Sequence, residues 1–306
     1  MYDRIIVPIE EGATDSMVQA CPLARELGCE LTLLHVHHPQ EAPEELEGLP
    51  QYRFQGVVES WDDRDQEAEA REAEWLAALA EEVAAGDPEL EVSSRVVHAP
   101  LARSLRSEDE SVLVVAPAED LEIDGLNRTV MELLRGGGVP VLVCHADVRL
   151  LPIRRLLIPL DGSSFSAEIL TPALDFARET GARISLLEVV TRRGLAGLLR
   201  SGDRSAEAAE RFLREVRATV PDEYGAVDVR VVEQGNAAAG IVREARREDV
   251  DLVAMATHGR GGLRRLVLGS VAESVVRGSN VPVLLYRPAG VGADQGAGSP
   301  PRVTAR

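Results

Sequence analysis

The chain repeats itself once, and no other feature constrains its fold as tightly. Near the start stands Arg4-Ile5-Ile6-Val7-Pro8-Ile9-Glu10, and past the middle Arg155-Leu156-Leu157-Ile158-Pro159-Leu160-Asp161. Each is a short apolar run closed by proline and an acid, as expected of a buried parallel strand that feeds a loop. A second match pairs Leu31-Thr32-Leu33-Leu34-His35-Val36 with Ile184-Ser185-Leu186-Leu187-Glu188-Val189. Both follow an Ala-Arg-Glu-x-Gly sequence, Ala24 to Gly28 and Ala177 to Gly181, whose glycine suits the left-handed residue just past a helix. A third pairs Val139-Pro140-Val141-Leu142-Val143 with Val281-Pro282-Val283-Leu284-Leu285. The offset is 151 at Pro8 and Pro159 but 142 at Pro140 and Pro282, so the first half carries the longer connections.

A chain of 306 residues has the length of two domains. The repeat divides it into domains over 1–146 and 152–288. The second half predicts strands near 154–160, 183–190, 227–233, 250–256 and 281–286, and helices near 164–180, 203–219, 236–248 and 269–278. That alternation means βαβ crossovers and a parallel sheet covered by helices on both faces. The architecture expected is therefore α/β: two flavodoxin-like domains, each with five mainly parallel strands. In the first half, residues 39–52 read as an acidic, proline-punctuated loop. Residues 62–85 read as a surface helix with Trp75 and Leu76 on one face. Residues 289–306 carry Gly, Pro and Ser without periodicity, which predicts a disordered tail.

Composition then excludes whole classes of function. Fifty-one acidic against 33 basic residues give a net charge of −18. That argues against nucleic acid, which needs a basic footprint, and against anionic membrane surfaces. No apolar run is long enough to span a bilayer. The opening MYDRIIVPIE has no basic leader and no cleavage site, so no secretory signal is expected. Every basic residue is arginine; there is no lysine to serve as a Walker A, Schiff-base or general-base residue. Such a composition suits the acidic proteome of a GC-rich genome or a halophile. Cys21, Cys29 and Cys144 are odd in number and form no CxxC, which points to buried thiols in a reducing cytoplasm.

One segment carries chemistry. Asp251 to Ala256 reads as a buried strand, and Thr257-His258-Gly259-Arg260-Gly261-Gly262 as a glycine-rich turn. Gly269-Ser270 then opens a helix to about Arg277. Gly259 lets backbone amides approach an anion, and Gly269 and Ser270 bring a helix N-terminus and a hydroxyl to the same anion. Arg260, Arg264 and Arg265 add positive charge. The segment lies at the carboxyl ends of parallel strands, where α/β sheets take their ligands.

On these residues the chain resembles the universal stress protein family, as a tandem of two fused domains with the adenine-nucleotide α-hydrolase-like fold. ATP-binding members of that family carry Gly, two residues, Gly, nine residues, then Gly-Ser or Gly-Thr. Here the spacing is kept as Ala256, Gly259, Gly269-Ser270, with alanine in place of the first glycine. The resemblance covers about residues 2–288 and is strongest over 154–287. It implies that the second domain binds ATP (AMP and ADP being the shorter ligands) with Mg²⁺ or Mn²⁺. It implies Asp161, after Pro159 and Leu160, at the adenine and ribose end, and the backbone of Val189 at the adenine ring. Met255 and Ala256 would lie beside the ribose, and Gly259, Gly269, Ser270 and Val271 around the phosphates. It further implies that the halves pack as a pseudo-dimer along their last strands, 139–144 and 281–286, and it leaves room for a homodimer of whole chains. The function implied is that of a stress-response switch, with a slow ATPase and a non-nucleotide interaction module as the rival readings. No general base or arginine finger is assignable for turnover.

The residues also carry other readings. Asp161 would equally cap a helix beginning near Ser163, and Ser270 could be a bare N-cap. His258 reads as a loop residue. His35, His37 and His38 at a strand end suit either a metal or a polar strand exit. Gly136-Gly137-Gly138 reads as a helix exit. The first half has lost the motif. Val112 to Val115 lead into Ala116-Pro117-Ala118-Glu119-Asp120, and Asn127-Arg128 fall opposite Gly269-Ser270. Glu10 stands where Asp161 stands in the second half. Acids in place of glycines would repel a triphosphate, so the first half is expected not to bind ATP.

Overall fold

The computed structural model describes residues 2–10, 15–38, 55–98, 105, 111–118, 128–145, 148, 150, 152–191, 205–247, 249–257 and 268–288. In the first half the chain forms β1 (Arg4–Pro8), α1 (Asp15–Leu27), β2 (Glu30–His37), α2 (Gln55–Gly86), β3 (Val92–His98), β4 (Val112–Pro117), α3 (Arg128–Gly136) and β5 (Val141–Cys144). In the second it forms β6 (Arg155–Pro159), α4 (Ser164–Ala167), α5 (Leu170–Thr180), β7 (Arg183–Thr191), α6 (Ala206–Arg217), β8 (Val227–Gln234), α7 (Ala237–Arg247), β9 (Leu252–Ala256), α8 (Ser270–Gly278) and β10 (Val283–Tyr286). The acidic segment 39–52 and the tail 289–306 lie outside the described residues.

The ten strands form a single sheet in the order β3-β2-β1-β4-β5-β10-β9-β6-β7-β8. Within each half every pairing is parallel. At the seam β5 and β10 run antiparallel, with Val143 opposite Val283, Leu142 opposite Leu284 and Val141 opposite Leu285. The resemblance implied packing along these two strands, and they go further by joining the two sheets through backbone hydrogen bonds. Two apolar strands that would otherwise be open edges cover each other.

Helices flank both faces. Side chains of α1, α2, α4, α5 and α6 share one core with the strands; those of α3, α7 and α8 share the other. Each core runs across the seam. Tyr2 of the first half lies edge-on to Phe176 of α5, ring centroids 6.3 Å apart, and its hydroxyl donates to the Pro172 carbonyl. The glycines after α3 serve the same union. Gly137 has φ of +66°, and a Cβ there would sit 2.8 Å from the Pro288 carbonyl oxygen. Gly138 N donates to the Arg287 carbonyl at 2.6 Å. These glycines are thus a helix exit, as read from the sequence, over which the end of the other half passes.

The repeat is visible bond for bond. Ile9 N donates to Leu34 O, and Leu160 N to Leu187 O, both at 2.8 Å. Val114 N donates to Pro140 O, and Val253 N to Pro282 O, both at 3.1 Å. Gly28 and Gly181 close their helices at φ of +64° and +66°. Two local departures have physical causes. The helix expected over 164–180 breaks between α4 and α5, because Pro172 has no N–H to offer the Glu168 carbonyl. And α2, at 32 residues, starts well before position 62. Leu76 is fully buried beneath it and Trp75 packs at its flank.

Candidate functional site

The site is built where β6 and β9 part. Their ladder ends at Leu157 opposite Val253, yet β6 continues to Pro159 and β9 to Ala256. β6 leads away to β7 on one side while β9 pairs with β10 on the other, so the strand order reverses here. This is the crevice position of an open α/β sheet.

The β6 side of the crevice is a tight turn. Pro159 and Leu160 are buried, and Asp161 is half-buried at the strand exit. Asp161 Oδ1 accepts from Ser163 N at 2.9 Å and from Ser163 Oγ at 2.6 Å. Ser163 is the N-cap of α4, its hydroxyl accepting from Ser166 N at 3.1 Å. Ser166 Oγ in turn accepts from Asp161 N and donates to the Ser163 carbonyl. Asp161 is therefore not the helix cap; it fixes the residue that is. Gly162, at φ of +80°, allows the bend.

The β9 side is a loop with a clasped neck. Met255 and Ala256 are buried at the strand end. Thr257 is fully buried; its N–H donates to the Tyr286 carbonyl at 3.0 Å, and its carbonyl accepts from Gly269 N at 2.7 Å. That second bond brings the two ends of the loop together and holds the start of α8 against the end of β9. Gly269 is the N-cap of α8 in extended conformation and offers no side-chain oxygen. The first amide bonded within α8 is Glu273 N, to Gly269 O at 2.9 Å. The amides of Ser270, Val271 and Ala272 precede it and have no acceptor inside the helix, so they are the donors that the positive end of α8 can offer an anion. Ser270 and Val271 are exposed beside it. Gly259, His258 and the arginines at 260, 264 and 265 lie outside the described residues.

Val189 lies inside β7, two residues short of its end at Thr191. The α7 helix approaches it closely: a Cβ on Gly240 would stand 2.7 Å from Val189 Cγ1. Asn236 caps that helix by accepting from Ala239 N at 3.0 Å. Sequence reasoning missed Thr257, Ser163, Ser166 and Gly240. Only Ser163 had a visible signal, a serine just before a helix.

The first half keeps the crevice and loses its furniture. Its β1–β4 ladder also stops early, at Ile6 opposite Val114. Ala118 N donates to Cys144 O, as Thr257 N does to Tyr286 O. The register puts Pro117 where Ala256 stands. Both α3 and α8 have nine residues and end on glycine. The connection before α3, residues 118–127, has ten residues against thirteen for 257–269. Glu10 is exposed.

Histidines 35, 37 and 38 do not converge on a metal. His35 Nδ1 is 2.8 Å from the Ile9 carbonyl, both nitrogens of His37 face carboxylates of α2, and His38 is exposed. Among the described residues no group of three His, Cys, Asp or Glu is arranged to hold a metal ion. The cysteines are free thiols. Burial pushes Cys144 up to about 12, and burial with the charges of Glu179 and Asp3 pushes Cys29 up to about 11. Among the described residues no helix is long and apolar enough to cross a membrane.

Known proteins share this design. The model of the universal stress protein family matches residues 152–287. A universal stress protein of Mycobacterium tuberculosis is 31% identical over 293 residues, covering 90% of each chain. One of Methanocaldococcus jannaschii is 31% identical over 140 residues, 44% of this chain and 82% of its own. The crystal structure of a universal stress protein from Archaeoglobus fulgidus superposes with a TM-score of 0.64 at 18% identity, covering 94% of this chain and 99% of that one.

Proposed function

The chain belongs to the universal stress protein family, and we propose that its second half, the domain over 152–288, binds one ATP in the crevice between the β6 turn and the start of α8. It acts as a ligand-set switch in the stress response. The observation that supports this most directly is the Thr257–Gly269 clasp, which fixes an open helix N-terminus at the strand ends where the family motif Gly259, Gly269-Ser270 falls. In this reading the amides of Ser270 and Val271 and the Ser270 hydroxyl hold phosphates. Asp161, oriented by Ser163, meets the ribose end, Met255 and Ala256 flank it, and the Val189 backbone meets the adenine.

The donor set fits the ligand. It is amides and a hydroxyl, with the Asp161 carboxylate at the far end of the crevice. Mg²⁺ or Mn²⁺ arrives on the phosphates rather than in a protein cage. Ala256 is buried with the core at the strand end, and in this reading its methyl leaves room for the ribose. AMP and ADP use the same pocket with fewer phosphate contacts. The seam makes the two halves each other's partner, so any homodimer of whole chains uses another surface. Three unpaired thiols suit the cytoplasm, where we place the protein.

Mass spectrometry of small molecules released by denaturing the purified protein tests this, together with calorimetric titration by ATP and Mg²⁺. One adenine nucleotide per chain is expected. Two per chain would overturn the one-sided reading. None, bound or titrated, would leave the fold as a protein-interaction module.

A further inference from the structure

The ends of β2 and β3 carry three imidazoles under α2, and α2 answers them with three carboxylates. His35 and His37 come from β2, and His98, the ladder partner of His37, comes from β3. Asp65, Glu69 and Glu72 are four and three residues apart, so they share one face of the helix. His37 is only 1% exposed. Its Nδ1 is 2.7 Å from Glu72 Oε2 and its Nε2 is 3.2 Å from Asp65 Oδ1. A carboxylate accepts but does not donate, so both contacts are hydrogen bonds only when both ring nitrogens carry hydrogen, that is, in the imidazolium form of His37. His98 Nε2 lies 3.2 Å from Glu69 Oε1, and its ring stands edge-on to His37 at 5.4 Å. His35 Nδ1 donates to the Ile9 carbonyl, its Nε2 is 3.7 Å from Glu72 Oε2, and its ring stands edge-on to Trp75.

We propose that this cluster is a proton-operated latch that holds the Asp65–Glu72 stretch of α2 down on β2 and β3 below neutral pH and releases it as the pH rises. Deprotonation removes one of the two donors of His37 and turns one carboxylate toward a nitrogen lone pair. It also withdraws the positive charge that faces Asp65 and Glu72. The groups that face His37 are Asp65 and Glu72 from α2, His98 from β3, itself paired with Glu69 of α2, and His35 along β2. Burial works against the charge on His37, but the hydrogen bonds and charges of Glu72 and Asp65 outweigh it, so its pKa is raised. A group raised on folding contributes stability that is complete below the ordinary histidine value near 6.5 and is lost as the pH passes its folded value. The latch is therefore closed in acid and open in base. The second half offers an internal control. By the shared register, β7 places Glu188 and Val190 where β2 places His35 and His37.

Hydrogen exchange of the full chain, read by mass spectrometry at about pH 5.5 and about pH 8.5 with times scaled for intrinsic chemistry, tests the latch. Peptides across 60–76 should lose about tenfold in protection at the higher pH. Peptides across 206–217 should not change. His37→Gln should abolish the difference. Because that variant could fail to fold, the wild-type imidazole signals are also followed by NMR, and His37 should titrate above the ordinary value. Equal protection of 60–76 at both pH values overturns the proposal. So does a His37 titration at or below the ordinary value, or a Glu72→Gln variant with an unchanged midpoint.

Discussion

The two halves agree in backbone and disagree in loops. β1, β2, β4 and β5 repeat the hydrogen bonds of β6, β7, β9 and β10, and both ladders open at the same rung. The differences lie in what is strung between. Ten residues precede α3 where thirteen precede α8, proline replaces Ala256, and the β2 exit is roofed by ion-paired α2. The lesson is that the parallel sheet supplies a crevice regardless. Whether the crevice takes a phosphate is decided by a few loop residues and the helix start they position.

The sharpest way to break this comparison is to give α8 the kind of acid found in the other half. Gly269 has an ordinary negative φ, so Gly269→Asp is free of backbone strain and makes a good N-cap. A carboxylate about 4 Å from phosphate costs about 4 kcal/mol, so titration calorimetry should show ATP affinity falling more than a hundredfold with the melting temperature held or raised. Asn127→Asp at the matching place should leave binding unchanged.

Next in size is the seam. Leu142 is fully buried opposite Leu284. Leu142→Ala should destabilise the protein by about 2–5 kcal/mol in urea titration, with probes in both halves moving together. Separate transitions would show that the halves fold independently.

Gly240→Ala is smaller and confined to the second half. The new methyl collides with Val189, so about 1–3 kcal/mol of stability should go, with a weaker hold on ATP. Val189→Ala in the same chain should return part of both losses. The smallest effect is expected from Ala256→Gly, with the calorimetric Kd for ATP changing by less than about twofold. A gain well beyond that would mean the methyl obstructs the ribose and would narrow the difference between the halves.

Much of the fold was legible because periodicity and repetition report burial. The apolar runs at Ile5–Val7 and Leu156–Ile158, and the glycines at 28 and 181, located strands and helix ends to within a residue or two. Less was legible where structure is made by contacts distant in sequence. Nothing local announces that Thr257 receives Gly269 and reaches Tyr286, or that Gly240 exists to admit Val189. Asp161 could be read as a ligand contact or a cap, and the capping itself falls to the serine that it holds. The histidines of β2 could not be assigned either, because their partners sit on a helix some thirty positions further on.

The antiparallel seam has a consequence for how such a chain can evolve. In a dimer of identical copies, every change is felt twice, and a loop that fails in one copy fails in both. Joining the copies in one polypeptide through Val141–Val143 and Val283–Leu285 removes that constraint. Each half always meets the same neighbour, so one can hold the ligand while the other, sheltered by the shared sheet, is free to take up a different signal.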